Sequence, residues 1–421
     1  MAYNIKENID KLTLLYKQQN FTKLVTEAEK ILDANNSSAA VWNFLALGYR
    51  HLGEITKATN IYEQLLKANP NNFLLNTNAG NLFFAIGRTQ DAVNCFEKAL
   101  TTEPNHIETL NSFGIAQTDL GNLELAQTCF KKIIEQDEGH QVARFRLGRI
   151  LLRKGQWSEA AKHFESTNFE FSKTHQLECY YLLGDEKVFY QKYAELVKLS
   201  PLSPLMAAIV CHASVRFNKS AENPFCSDPM KYVLKTNIPE SDGLTKTLIE
   251  QLINIKTSTD FKKQPLLKNG EQSSGNLFLN QDPAIQKLKQ IIENKIKEYK
   301  QRFCESSEGF ITKWPKEYNL FGWLVSIKTG GQLKAHIHRE GWLSGSIYLK
   351  MPKKNHDSEG NIMFGLKGAD YDDGGKNYPE EEYNIEEGNL VLFPSSLYHQ
   401  TLPFKSDEER VSFAFDVIPR R

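Results

Sequence analysis

The sequence predicts an α+β multidomain chain: an all-α solenoid of helical hairpins, followed by a β domain with helices on its outside. Three observations carry this. Residues recur with a 34-residue period through the first part of the chain, the pattern loosens into turn signals near 218–240, and strand-like alternation fills the C-terminal quarter.

The repeat is set by Trp42, Leu45, Ala46, Tyr49, Gly53, Ala58, Tyr62 and Pro70. Ala79, Gly80, Phe83, Gly87, Ala92, Phe96, Ala99 and Pro104 restate it one period later. Phe113, Gly114, Gly121, Ala126 and Phe130 follow, then Leu147, Gly148, Leu151, Gly155, Ala160 and Phe164. Small residues such as Gly80 and Ala92 let paired helices cross closely, large ones fill the gaps, and proline closes each unit. A less regular unit precedes these, with Phe21, Leu24, Val25, Ala28, Ile31 and Leu32 on its second helix. Further helices are expected over 177–199 and 204–216, making five or six hairpins.

This pattern resembles the tetratricopeptide repeat. Such solenoids line a concave surface with the first helix of each hairpin. In this register the surface would carry Asn43, Asn78, Asn81 and Asn111, then a basic stripe of Arg146, Arg149 and Arg153. Amides can bond the backbone of an extended chain and arginines favour an acidic one, so a protein or peptide partner is expected. The alternative is a solvated polar face.

Asn223-Pro224-Phe225, Ser227-Asp228-Pro229 and Ile238-Pro239 are turn signals. They place a solenoid at 1–217, a linker at 218–240 and a third segment at 241–421. Within the last, 244–255 and 283–303 read as amphipathic helices, with Ile285, Leu288, Ile291, Ile292 and Ile296 as the buried stripe of the second. Strands are expected over 321–327, 335–338, 345–351, 361–366, 389–393 and 411–417, and 268–275 reads only as a polar loop. The stretch 367–387 is long, acidic and tyrosine-bearing (Asp370, Tyr371, Asp372, Asp373, Tyr378, Tyr383), and a loop of that length suggests a lid or a substrate contact.

The chemistry concentrates in three places. His336 and His338 stand two residues apart in an alternating run, so on a strand both rings face one way. A third imidazole, His399, follows a second apolar strand pattern, and Arg410-Val411-Ser412 opens the last strand with a guanidinium and a hydroxyl on one face. Close histidines, a distant one and a following arginine outline an iron site with an anion clamp.

His336-Ile337-His338, Leu343-Ser344-Gly345-Ser346-Ile347-Tyr348-Leu349, Leu392-Phe393-Pro394-Ser395 with His399, and Arg410-Val411-Ser412 together resemble the 2-oxoglutarate and Fe(II)-dependent oxygenases of the prolyl-hydroxylase-like type. The likeness spans 320–421 and reaches more weakly back to about Ser241, taking in Gln272. It implies a double-stranded β-helix of the jelly-roll or cupin-like kind, Fe(II) as metal, and 2-oxoglutarate and O2 as cosubstrates. It implies iron ligation by His336, His338 and His399, with His338 where most relatives carry aspartate. The alternative from position alone is a carboxylate from Glu340, two residues past His338, or from Asp357, with His338 then contacting a ligand residue or the substrate. It also implies that 2-oxoglutarate meets Arg410, Ser412 and Tyr348, that no catalytic residue is needed beyond these ligands, and that a substrate C–H is hydroxylated while 2-oxoglutarate becomes succinate. The substrate is expected to be a protein or peptide presented by the repeats.

Two other readings stand beside this. Gly330 six residues before His336, and Gly388 six before Pro394 with His399 following, also fit the half-motifs of a cupin metalloenzyme that uses no 2-oxoglutarate. A non-catalytic repeat scaffold with a degenerate β domain is the third.

Composition excludes more than it identifies. Lysine plus arginine and aspartate plus glutamate both number 51, so no net charge draws the chain to nucleic acid or anionic membrane. Cys95, Cys129, Cys179, Cys211, Cys226 and Cys304 show no CxxC spacing and read as free thiols of a reducing compartment. The first residues lack an apolar export segment and no stretch approaches ~18 apolar residues, so a cytoplasmic protein without membrane contact is expected.

Overall fold

A computed structural model describes residues 5–34, 38–258, 261–262, 264–368 and 371–420. The chain divides into two compact units, Met1–Ser172 and Lys173–Arg421.

Among its described residues the first unit holds five helical hairpins: Ile5–Lys17 with Phe21–Asp33, Ala39–His51 with Ile55–Ala68, Phe73–Ala85 with Thr89–Thr102, Ile107–Asp119 with Leu123–Gln136, and Gln141–Arg153 with Trp157–Glu165. The 34-residue period has a backbone cause. Gly53, Gly87, Gly121 and Gly155 follow the first helix of successive hairpins with φ of 82°, 81°, 83° and 74°, the left-handed conformation that ends a helix without Cβ strain. It also has a packing cause. A Cβ on Gly80, Gly114 or Gly148 would come within 2.6, 2.8 or 2.9 Å of the ring of Phe96, Phe130 or Phe164. Each glycine is thus the socket for a phenylalanine of the second helix, and burying such a ring contributes roughly 2 kcal/mol.

The expected groove residues separate by depth. Asn43 is 3% exposed, and its Oδ1 accepts from the Tyr62 hydroxyl at 3.2 Å and from Asn78 Nδ2 at 3.0 Å. Asn43 is therefore an interior hydrogen-bond hub between two hairpins, contrary to its expected place on an accessible surface. Asn78, Asn81, Asn111 and Arg146 are half-buried, and Arg149 and Arg153 are exposed.

The second unit starts earlier than expected. Helices Glu186–Leu196 and Pro204–Arg216 and most of Glu170–Leu182 belong to it, although they continue the helical pattern of the solenoid. Leu177, Tyr181, Phe189, Ile209 and Val210 form a core against which Ile337 and Tyr371 of the β region pack. The stretch 218–240 is no linker either: Phe225 and Cys226 are fully buried in the main core and Leu234–Asn237 is a strand.

Among the described residues ten strands form one antiparallel system: β1 (Leu234–Asn237), β2 (Phe261–Lys262), β3 (Leu267–Ser273), β4 (Tyr318–His336), β5 (Leu343–Lys350), β6 (Ile362–Gly365), β7 (Glu380–Tyr383), β8 (Asn389–Pro394), β9 (Tyr398–Thr401) and β10 (Arg410–Pro419). The order is β1-β8-β5-β10-β4-β9-β6-β7, with β3 between β2 and β4. β4 is the seam of this barrel-like jelly roll. Its first half pairs with β10, and beyond a bend at Gly330 (φ 67°) its end pairs with β9. The two expected strands 321–327 and 335–338 are therefore one element, which ends at His336.

Helices Lys246–Asn254 and Pro283–Arg302 cover the outside. Ile285, Leu288, Ile291, Ile292 and Ile296 are all buried against the sheet, as their spacing predicts. Strand β10 divides its side chains by alternation: Val411, Phe413, Phe415 and Val417 enter this helix-covered core, whereas Arg410, Ser412 and Ala414 line an interior cavity.

Candidate metal centre

Three imidazoles meet at the mouth of the jelly roll. His336 ends β4 and stands directly opposite His399 of β9 in the strand register. His338 lies two residues past the strand, where its backbone N–H donates to the Ser395 carbonyl at 3.1 Å and keeps its ring on the same side. One ligand atom from each ring lies within 4.8 Å of the others. Trp323 flanks His338 at 5.5 Å between ring centroids and Phe393 flanks His399 at 4.5 Å, so packing limits both rotamers.

The outer nitrogen of every ring is already engaged. His336 Nδ1 is 2.8 Å from the Lys334 carbonyl, His399 Nδ1 is 3.2 Å from the Leu397 carbonyl, and His338 Nδ1 is 2.5 Å from Asp416 Oδ1. Carbonyl and carboxylate oxygens only accept, so each Nδ1 carries a proton and the Nε2 side of each ring is the one turned toward the other two. The Nε2 atoms of His336 and His338 are 3.3 Å apart. At that distance the two nitrogens are joined either by a proton on one of them or by a cation bound to both. The donor set thus fits a divalent metal held by His336, His338 and His399 through Nε2.

Electrostatics keeps two of the rings uncharged. Burial, and then neighbouring His338, push His336 down to about 4, and burial with both neighbours drives His399 well below the usual histidine range. Both lone pairs are consequently available at neutral pH.

Behind the histidines lies a cavity of about 190 Å³, lined in part by Gln272, Trp323, Tyr348, Arg410 and Ser412. Arg410 is 3% exposed, and its Nε donates to the Gly360 carbonyl at 3.1 Å. Its guanidinium sits 4.8 Å above the Tyr348 ring, and Nη1 is 3.5 Å from the Ser412 hydroxyl. No carboxylate pairs with it among the described residues; neighbouring Glu409 pairs with Lys256 at 2.6 Å instead. Burial pushes the Arg410 pKa down, and the fully buried Tyr348 hydroxyl has no hydrogen-bond partner. A buried cation and an orphaned hydroxyl facing one cavity fit an anionic ligand with several acceptor oxygens.

Three expectations need correcting. Glu340 and Asp357 are exposed and stand outside the histidine cluster, so neither replaces the absent carboxylate. No described residue of 367–387 lines the cavity: Tyr371 donates to Glu178 at 2.9 Å, Asp372 pairs with Arg216 at 2.6 Å, and the Tyr378 hydroxyl lies 3.2 Å from His212. Tyr371, Asp372 and Tyr378 thus meet helices, Glu380–Tyr383 is strand β7 beside β6, and Asp370 lies outside the described residues. The segment 268–275 is largely strand β3, which supplies Gln272 to the cavity wall.

Two groups of residues had escaped the sequence reading. Asp416 lies two positions beyond Ala414 on the alternation that already joined Arg410 to Ser412, so that period was the available signal. Glu178 is 4% exposed and takes a two-pronged bond from Arg339, the residue after His338, at 2.7 and 2.8 Å. No local pattern marks that pairing.

Comparison with known proteins agrees with this division. A family model described as "Putative 2OG-Fe(II) oxygenase" matches residues 322–416, and tetratricopeptide-repeat models match 39–72, 75–106 and 112–171. Similar solved structures include pilF of Pseudomonas aeruginosa (16% identity, 48% of this chain and 94% of that one, TM-score 0.41). They also include PilW, described as a widely conserved type IV pilus biogenesis factor (20%, 49% and 98%, 0.41), and a tetratricopeptide repeat protein from Parabacteroides merdae (18%, 51% and 86%, 0.40). No curated protein matches the chain. No helix among the described residues is long and apolar enough to cross a membrane.

Proposed function

We propose that the second unit is a 2-oxoglutarate- and Fe(II)-dependent dioxygenase that hydroxylates a protein or peptide recruited by the tetratricopeptide repeats. One observation carries the reading: three imidazoles converge beside a cavity whose wall also holds Arg410, a buried cation paired with no carboxylate among the described residues. Ferrous iron supplies the oxygen chemistry when bound, with 2-oxoglutarate oxidised to succinate and carbon dioxide.

The chain's own residues have separable tasks. His336, His338 and His399 would hold the metal and leave coordination positions open. Arg410 would receive the far carboxylate of 2-oxoglutarate on its planar fork, with Ser412 and the Tyr348 hydroxyl as further donors. Trp323, Leu333, Ile362 and Phe393 line the cavity with apolar surface and keep it poor in water. The side chains need move no proton in this scheme, which agrees with the absence of aspartate, glutamate, lysine and cysteine from the described cavity wall. A cupin without 2-oxoglutarate would have the same histidines and no use for an unpaired Arg410.

The test is incubation of the full chain with Fe(II), ascorbate and 2-oxoglutarate. Succinate formation is expected, together with a gain of one oxygen atom on proteins retained by the repeats. Metal binding without 2-oxoglutarate binding would favour the cupin reading, and binding of neither would leave the scaffold.

A further inference from the structure

We propose that Asp416 is the charge partner of His338: it supplies from behind the ring the negative charge that the three ligating groups lack, and it holds the tautomer that turns Nε2 toward the metal. The proposal deepens the metal-centre reading and rests on it.

The argument begins from what surrounds the carboxylate. Asp416 is 7% exposed and stands opposite Ser344 across the β10–β5 pairing. Its Oδ1 accepts from His338 Nδ1 at 2.5 Å and from the Ser344 hydroxyl at 2.7 Å. Ser344 in turn lies 2.7 Å from the Ser395 hydroxyl, and since its own proton goes to Asp416, Ser395 must be the donor. That chain of hydroxyls aims proton density at one oxygen. No lysine or arginine pairs with Asp416 among the described residues, so His338 is its sole basic partner. The turn between them leaves no slack: a Cβ on Gly341 would lie 2.6 Å from Ser395 Oγ and 3.3 Å from Asp416 Cγ.

A neutral imidazole in place of a carboxylate makes a divalent site one charge more positive. A carboxylate hydrogen-bonded to that imidazole places a compensating negative charge directly behind the ligand. His338 and Asp416 together then do what an aspartate would do alone. Asp416 is on this account a positioning residue, because it touches the ligand and never the metal or the substrate.

Co(II) binding to the full chain by titration calorimetry tests this, with thermal unfolding as a control for structure. Asp416→Asn keeps the shape and removes the charge, and it should weaken Co(II) binding about 10- to 100-fold. Ser344→Ala removes a hydroxyl that bonds Asp416, meets Ser395 and lies 3.0 Å from His338 Nδ1, but it leaves the charge, and should weaken binding by no more than about threefold, the scale of a lost neutral hydrogen bond. Unchanged affinity in Asp416→Asn overturns the proposal. So do equal losses in both variants, which would mark the cluster as packing alone. Should Asp416→Asn not fold, 15N-histidine spectra of the wild-type chain decide, with His338→Gln for assignment: the proton is expected on Nδ1 of His338 with a strongly downfield resonance, and a proton on Nε2 overturns it. Wild-type chain that binds no Co(II) would instead remove the metal-centre reading itself.

Discussion

At the scale of single residues, Arg410 sets function against stability. A guanidinium 3% exposed with no acid partner costs the empty protein desolvation that one carbonyl, one distant hydroxyl and a tyrosine ring only partly offset. Arg410→Met fills similar volume without charge. Its 2-oxoglutarate affinity should fall at least about 100-fold, as expected when one member of a buried charged pair is removed. Its apo melting temperature should match or exceed that of the wild type, and Co(II) binding should persist. Calorimetry of the variant with each ligand checks this; a melting temperature several degrees lower would mean that Arg410 is structural. The sequence made Arg410 legible through its period-two spacing to Ser412, and the same count reaches Asp416. Asp416 is harder to read because it lies far from the His pair in sequence, and only the strand register brings it there from the other end of the fold.

At the scale of elements, legibility follows how much of an element's stability is local. The covering helix Pro283–Arg302 carries its own apolar stripe and was read correctly, whereas β1, β7 and β9 are four residues each and exist only through their partners. Asn43 went wrong for a similar reason, since the repeat register fixes a position on a helix but not whether the next hairpin covers it. The contact between helix Glu170–Leu182 and the histidine loop is wholly non-local. Burial alone would raise the Glu178 pKa, but the Arg339 charge and the bonds from His175 and Arg339 outweigh it and hold it at about 2. A folded pKa below the unfolded one means stability that is full above about pH 4.5 and is lost as pH falls toward 2. Glu178→Gln should therefore cost about 3 kcal/mol at neutral pH, somewhat less because the Arg339 side chain is 45% exposed and partly screened. Urea unfolding of wild type and variant across pH checks this: the gap should be constant above pH 5 and close toward pH 2, and a gap that widens on acidification would refute the assignment.

For the whole molecule, the two compact units should report separately. Heating should give two transitions, and Co(II) with 2-oxoglutarate should raise only one of them, by roughly 5–10 °C at ligand concentrations about 100 times Kd. A single transition that moves as a whole would contradict the division. Where the division falls is the part least legible in sequence, because helices 173–216 keep the amphipathic habit of the solenoid, and periodicity says that a helix has a buried face but not which unit buries it. The structure gives those helices to the β unit: Ile337, between two candidate ligands, packs on their core, and Tyr398, beside His399, lies 6.3 Å from Tyr371, which bonds Glu178. The consequence is an experiment on chain length. A fragment beginning at Lys173 should fold cooperatively and bind Co(II) with near wild-type affinity. One beginning at Ser241, the edge suggested by family likeness, would uncover Tyr398, which now meets His212, and strip the core of buried Phe225 and Cys226. Losing that burial removes several kcal/mol from a domain whose total margin is of order 10 kcal/mol. The shorter fragment should therefore bind ANS dye, unfold without a sharp transition and hold Co(II) weakly; equal metal affinity in the two fragments would show that the helices are passengers.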